Sequence, residues 1–296
     1  MSQASPLWNE IISKPGWSLD HFRRPGEINS RLAAWEPREL SLRWYRSFLN
    51  LAFSSASDMV KDEYAELSSK LNYGDPVTNA VNHKGKRITI NLDYLMAFED
   101  VEFLRPVHQV DIESVLEVGA GFGRLAHLLL LRLKSIKTYY IVDLPQVLNL
   151  SKAYLWKVLP QTCFEKLCFI LPDQIPELVS ELPGVNLAIQ VDGLQEMTSE
   201  SLDKYFSVFS NSQLFFSKNV VAKYLPSHAG LEGLGPNVAL TLGRSLELCD
   251  IWNTSDLESC YLKHLDYYRP KLHDVKTSSP DRLFPHYCNI LYERKV

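Results

Sequence analysis

The sequence carries no surplus of positive charge: 31 Lys and Arg stand against 35 Asp and Glu, a formal net charge of −4. Nucleic-acid binders usually need a basic excess to replace phosphate counterions, so no nucleic-acid partner is expected. The one short basic cluster, Lys84-Gly85-Lys86-Arg87, reads as a solvated turn. Long apolar runs are also missing. The longest, around Leu125 to Leu131, is interrupted by His127 and falls far short of the roughly 18 residues of a membrane helix. The start, Met1 to Pro6, has neither the basic nor the apolar region of a secretory signal, which makes no membrane partner and a cytoplasmic location the expectation. Five scattered cysteines form no Cys-x-x-Cys pair, and eight histidines form no His-x-His or His-x-x-x-His spacing. Buried thiols are expected rather than a disulfide frame, and no metal site is legible, although one assembled from distant residues is not excluded.

With 46% hydrophobic and 22% charged residues, the chain has the composition of an ordinary globular protein. Its pattern changes near residue 106. From about Leu40 to Leu71 apolar residues recur at helical spacing, and Ser54-Ser55-Ala56-Ser57-Asp58 divides them into two helices, with an N-cap at the second. Asn91 to Leu104 reads as a further helix ended by Pro106. Residues 1–106 are therefore taken as a mainly helical N-terminal cap and 107–296 as a second domain.

In that second domain short apolar strands alternate with helices. Strands are read at Ser114 to Val118, Tyr139 to Val142, Leu167 to Leu171, Leu187 to Val191 and Leu214 to Phe216, and helices at Arg124 to Leu133 and Val147 to Leu159. This alternation implies a parallel sheet with helices on both faces and a ligand crevice at the carboxyl ends of the strands. Beyond it, residues 237–265 read as helical and 285–294 as a closing strand.

Gly119, Gly121 and Gly123 follow the first of these strands and lead into a helix, which marks a loop where a ligand approaches the backbone closely. The dinucleotide fingerprint Gly-x-Gly-x-x-Gly would need glycine at position 124, which is Arg124. Glu117, two residues before the first glycine, would repel a pyrophosphate and attract the ammonium and sulfonium of S-adenosylmethionine. Asp143 ends the next strand, where an acid can accept both hydroxyls of a ribose; it can equally cap the following helix.

Residues 113–220 resemble the class I S-adenosylmethionine-dependent methyltransferases, and more narrowly the sugar O-methyltransferase family. The likeness rests on Val115 to Ala126, on Val142-Asp143-Leu144-Pro145-Gln146-Val147, and on Val191-Asp192-Gly193-Leu194-Gln195-Glu196-Met197; Gly-Ala-Gly stands where such families often have Gly-Gly-Gly. It implies a Rossmann-like α/β methyltransferase sheet under the helical cap, with S-adenosyl-L-methionine as cofactor. It also implies that Gly119, Ala120, Gly121 and Phe122, with Gly123, hold the methionine part, that Asp143 with Leu144 holds the ribose, and that Asp173 and Gln174 hold the adenine. The last pair can equally be a turn and helix cap.

The end of the fourth strand faces the reacting centre in this architecture, placing Asp192, Gly193, Gln195 and Glu196 near the methyl group or its acceptor. No Asn/Asp-Pro-Pro-aromatic block of the nucleic-acid N-methylating type occurs there. A sugar hydroxyl needs a base or a metal to lose its proton. Asp192 and His228 are the leading candidates, with Glu196 and His286 behind them; Lys218 and Asn219 could contact acceptor hydroxyls. Gly230 to Pro236 has the glycine content of a lid or of a plain connector. The expected partner is a small-molecule acceptor, a sugar or glycoside, and a homo-oligomer is compatible with the sequence. The rival functions are an NAD-dependent oxidoreductase or epimerase, and a non-catalytic nucleotide-binding module.

Overall fold

The computed structural model describes residues 4–13, 42–74, 76–105, 111–175, 184–224, 242–244, 248–250 and 253–295. The N-terminal region contains α1 (Pro6–Ser13), α2 (Leu42–Ser55), α3 (Asp58–Leu67) and α4 (Leu92–Phe103). Ser57 caps α3 by accepting the Val60 N–H, and Asn91 caps α4 by accepting that of Tyr94. Between α3 and α4 the cap departs from the helical expectation, because β1 (Asn79–His83) and β2 (Lys86–Ile90) form an antiparallel hairpin. Lys84 and Gly85 both have positive φ, 48° and 78°, as a two-residue hairpin turn requires. The basic cluster is thus a solvated turn, and it also joins two strands whose Val81, Ile88 and Ile90 face inward.

The remaining chain runs β3 (Ser114–Val118), α5 (Arg124–Arg132), β4 (Thr138–Val142), α6 (Pro145–Val158), α7 (Gln161–Phe164), β5 (Leu167–Ile170), β6 (Leu187–Val191), α8 (Ser199–Phe209), β7 (Leu214–Val220), β8 (Lys223–Tyr224), β9 (Leu248–Cys249), α9 (Thr254–Tyr267), β10 (His273–Pro280) and β11 (Tyr287–Arg294). Seven strands make one sheet in the order β10-β11-β7-β6-β3-β4-β5. β3 through β7 pair in parallel, whereas β11 is antiparallel to both β7 and β10. This is a Rossmann-like α/β sheet with an antiparallel edge. The chain moves from β3 outward to β5, then returns to lay β6 on the other side of β3, so the crevice opens at the β3/β6 switch point.

One further sequence expectation is corrected here, and one strand went unread. Leu248–Cys249, inside the stretch read as helical, pairs in parallel with Lys223–Tyr224. The edge strand β10 was not legible, since its His-Asp-Val-Lys-Thr-Ser-Ser-Pro sequence has no apolar alternation and needs none with one partner and a mostly solvated face.

Period-2 alternation divides the strand residues between two cores. Val115, Ile141, Ile189 and Phe216 share one with the cap, which contributes Leu49, Tyr64, Leu95 and Phe98. Leu116, Val142, Ala188 and Phe215 share the other with Leu202, Phe206 and Phe209 of α8. Cap and sheet therefore have one continuous core. At their junction the Tyr94 hydroxyl meets His127 Nδ1 at 2.5 Å and the Tyr154 hydroxyl at 2.8 Å. Burial lowers the His127 pKa to about 4, so the ring is neutral there. Among the described residues no helix is long and apolar enough to cross a membrane.

Candidate active site

β3 ends at Val118, and the chain turns through Gly119, Gly121 and Gly123 with φ of 76°, 57° and 92°. Their tasks differ. A Cβ on Gly121 would meet nothing within 4 Å, and one on Gly119 only Gln190 Nε2 at 3.9 Å; both glycines line a cleft. A Cβ on Gly123 would lie 2.8 Å from Leu155 Cδ1, so this glycine lets α5 start flush against α6. The first two keep backbone open to a ligand, and the third serves packing.

Asp143, at the end of β4, connects the loop to the next helix. Its Oδ2 accepts the Gly121 N–H at 3.1 Å and its Oδ1 that of Leu144 at 2.8 Å. Each carboxylate oxygen keeps a lone pair for a further donor. Burial raises the Asp143 pKa to about 7, against the pull of those two N–H groups. The cleft of about 660 Å³, including space open to solvent, runs from Gly119, Gly121, Asp143 and Leu144 to Asp192 and Gly193.

The opposite wall follows β6. Asp192 adopts φ 54°, an uncommon conformation that a short acid tolerates, and donates its N–H to Lys218 O at 2.8 Å. Its Oδ1 accepts the Tyr287 hydroxyl at 2.8 Å. Burial raises its pKa to about 6, with Tyr287, Arg124 and Lys218 acting in the other direction. Asn219 Oδ1 accepts the N–H groups of Gly193 and Leu194 at 3.2 and 3.1 Å, and its amide also engages Gln190. Asn219 therefore holds the loop from behind.

Lys218 likewise does not reach an acceptor. Its ammonium, 1% exposed, lies 2.7 Å from Asp100 Oδ1 of α4 and 2.6 Å from Asp281 Oδ2. Asp281 also accepts the Leu283 and Phe284 N–H groups. Burial raises the Asp281 pKa, but Lys218 and these donors more than offset this and leave it lowered; Asp100, whose Oδ2 has no partner among the described residues, is raised by burial. An ammonium this enclosed links cap, sheet and the β10–β11 turn.

The structure gathers Gly119, Gly121, Asp143, Leu144, Asp192, Gly193 and Glu196 on one cleft. Others lie elsewhere. Glu117 is 3% exposed, does not line the cleft, and accepts the Tyr139 hydroxyl at 2.6 Å. Burial pushes its pKa to about 7, so near neutral pH its charge beside the turn is partial. The Phe122 ring packs edge-on against Tyr154 at 4.9 Å, and Ala120 packs on the same core. Asp173 and Gln174 are exposed and outside the cleft lining, because Gln174 Oε1 turns back to accept the Leu171 N–H of its own turn. His228 and the Gly230 to Pro236 stretch lie outside the described residues. His286 is half-buried, its ring centroid 5.0 Å from that of Tyr287.

Trp8, Met197, Thr198, Ser201 and Tyr205 also line the cleft, and sequence reasoning missed them. Thr198 and Ser201 carried a usable signal, since Thr198 caps α8 by accepting the Ser201 N–H. Trp8 and Tyr287 carried none, being remote in sequence from what they touch. Among the described residues no group of three or more His, Cys, Asp or Glu has a metal-holding arrangement.

No protein-family model matches the chain, and no curated protein matches it in sequence. Solved structures similar to it include the methyltransferase domain of bacterial CtHen1, at 18% identity and TM-score 0.46, covering 69% of this chain and 100% of that one. The mitomycin 7-O-methyltransferase MmcR is similar at 13% identity and TM-score 0.45, over 93% of this chain and 66% of that one. A Methanococcus jannaschii fibrillarin pre-rRNA processing protein is similar at 8% identity and TM-score 0.46, over 74% and 83%. These are likenesses of fold, and no residue role is carried over from them.

Proposed function

We propose that this chain is an S-adenosylmethionine-dependent O-methyltransferase acting on a hydroxyl of a sugar or sugar-containing natural product. The observation that carries the cofactor reading is the joint between loop and acid: Gly119 and Gly121 leave their backbone open on the cleft, and Asp143, braced by two N–H groups, faces the same space. Those residues fit an adenosyl cofactor, with vicinal ribose hydroxyls donating to Asp143 and the amino-acid end against the glycine turn. When bound, S-adenosylmethionine supplies a methyl group on a positively charged sulfur, ready for transfer to a nucleophile.

Asp192 is the base. Tyr287 occupies its Oδ1 and sets its orientation, leaving Oδ2 for the acceptor's hydroxyl proton. A carboxylate raised toward 6 suits proton removal near neutral pH better than one at its ordinary value. The sugar acceptor is supported by the Val142 to Val147 and Val191 to Met197 blocks and by the absence of a basic excess that would suit an RNA acceptor.

A ligand that binds the native state alone stabilises it by RT ln(1 + [L]/Kd), about 2.7 kcal/mol at a hundredfold excess over Kd. S-adenosylhomocysteine should therefore raise the melting temperature by several degrees and NADH should not. The reverse pattern overturns the methyltransferase reading in favour of an oxidoreductase. Methyl-labelled cofactor, offered with nucleotide sugars, free sugars and glycosides in the presence and absence of chelator, then tests the acceptor class.

A further inference from the structure

Helix α1 lies far in sequence from every other part of the cleft, yet Ala4, Ser5 and Trp8 line it together with Gly121, Asp143 and Asp192. The helix starts on its own signals: Ser5 Oγ accepts the Trp8 N–H at 3.3 Å, and Pro6 occupies the first helical position. A hydrogen bond reaches across the cleft from Trp8 Nε1 to Glu196 Oε2 at 2.8 Å, between residues 188 apart in the chain. Glu196 stands in the short turn Leu194–Glu196, whose entry Asn219 fixes from behind, so the acceptor of this bond sits on a rigid support.

We propose that α1 is a wall of the cofactor site, with the Trp8 indole closing the cleft over bound cofactor and Glu196 as its latch. The inference rests on the cofactor reading above. Among the described residues, none from α1 is in either apolar core. With α1 in place the cleft remains partly open to solvent along Gly121, Asp143 and Asp192. An indole offers a purine a flat aromatic surface, a contact that every adenosyl ligand can use. Glu196, considered from the sequence as a base, becomes a positioning residue for Trp8. Departure of the cofactor on this side requires the Trp8–Glu196 bond to open, so α1 governs its exit rate.

The test compares the full chain with a variant lacking residues 1–13, with Trp8→Leu and with Glu196→Gln. S-adenosylhomocysteine affinity is measured by calorimetry, its exit rate by stopped flow, and ligand-free melting serves as the structural control. Removing α1 should weaken binding about 10- to 100-fold, mostly through faster exit, and Trp8→Leu about 10-fold. Glu196→Gln keeps an oxygen that accepts the indole N–H and should stay within about threefold. Ligand-free melting should stay within about 2 °C for all three, as expected for changes outside the core. Full-chain binding matched in affinity and exit rate by the truncated chain and by Trp8→Leu overturns the role of α1 and leaves the methyltransferase reading standing, as does a ligand-free melting temperature that collapses in both. Absence of binding to the full chain overturns both.

Discussion

The two walls of the cleft are built in different ways. The β3–β4 wall is local and made mostly of backbone: Gly119, Gly121 and Asp143 lie within one strand–loop–helix–strand unit, and Asp143 bonds to N–H groups one and 22 residues away. The β6–β7 wall is assembled from side chains remote in sequence. Tyr287 reaches Asp192 across 95 positions, Lys218 reaches Asp100 across 118, and Trp8 reaches Glu196 across 188. A backbone wall can bind what many relatives of a fold bind, because its geometry depends on few side chains. In the function proposed above, the side-chain wall would set which acceptor enters and how its proton leaves, and it depends on the whole fold being formed.

The sharpest way to separate the walls is Asp192→Asn, which keeps the shape and removes the proposed base. Methyl transfer in single turnover at saturating cofactor should fall about 10²- to 10⁴-fold, with S-adenosylhomocysteine affinity changing only modestly. A near-wild-type rate would move proton removal to another group, such as His286, whose ring centroid lies 5.0 Å from that of Tyr287. Lys218→Met tests whether the second wall depends on the fold. Two carboxylates would be left buried and unpaired, and denaturant unfolding should show a loss of about 3–5 kcal/mol. A loss below about 1 kcal/mol would mean that Asp100 and Asp281 take up protons or water at little cost.

Smaller effects are expected on the backbone wall. Asp143→Ala should weaken S-adenosylhomocysteine binding about 10- to 100-fold with the sheet intact, since a hydrogen bond to a charged group contributes roughly 1.5–3 kcal/mol. Unchanged affinity in calorimetry would reduce Asp143 to a brace for the loop. The same residue has a pH signature. Its folded pKa is raised, to about 7, so between its ordinary value near 4 and about 7 the native state holds more protons than the unfolded state. Its contribution to the ligand-free stability is therefore full below the ordinary value and falls as pH rises to about 7. Asp143→Asn should flatten that decline, leaving the parts due to Glu117 and Asp192, which burial also raises.

The β3 to β7 core was legible because each element carries its own signal. Ser114–Val118 and Leu187–Val191 have the bounds read from their apolar runs, and Ser57 and Asn91 start the helices that their side chains cap. The hairpin of β1 and β2 was hidden inside a region dominated by helical periodicity, and β10 by its polar composition. In the loop, glycine spacing announced a close approach of backbone to ligand, yet only the packing of Leu155 shows that Gly123 serves helix contact while Gly121 faces the cleft.

Sequence alone determined the succession of the parallel strands β3 to β7, the glycine turn and the acid that follows it, since these depend on neighbours within a few residues and on the period of apolar side chains. Tertiary structure alone decided which acids face the cleft. Glu117 and Asp192 both lie at the carboxyl ends of parallel strands, within two residues of a glycine, but the pleat turns Glu117 into the core toward Tyr139, whereas a left-handed backbone and the Tyr287 hydroxyl hold Asp192 at the cleft. Burial then raises both from ordinary carboxylate values, because the free energy of a charge depends on everything that surrounds it and no local stretch of sequence contains that.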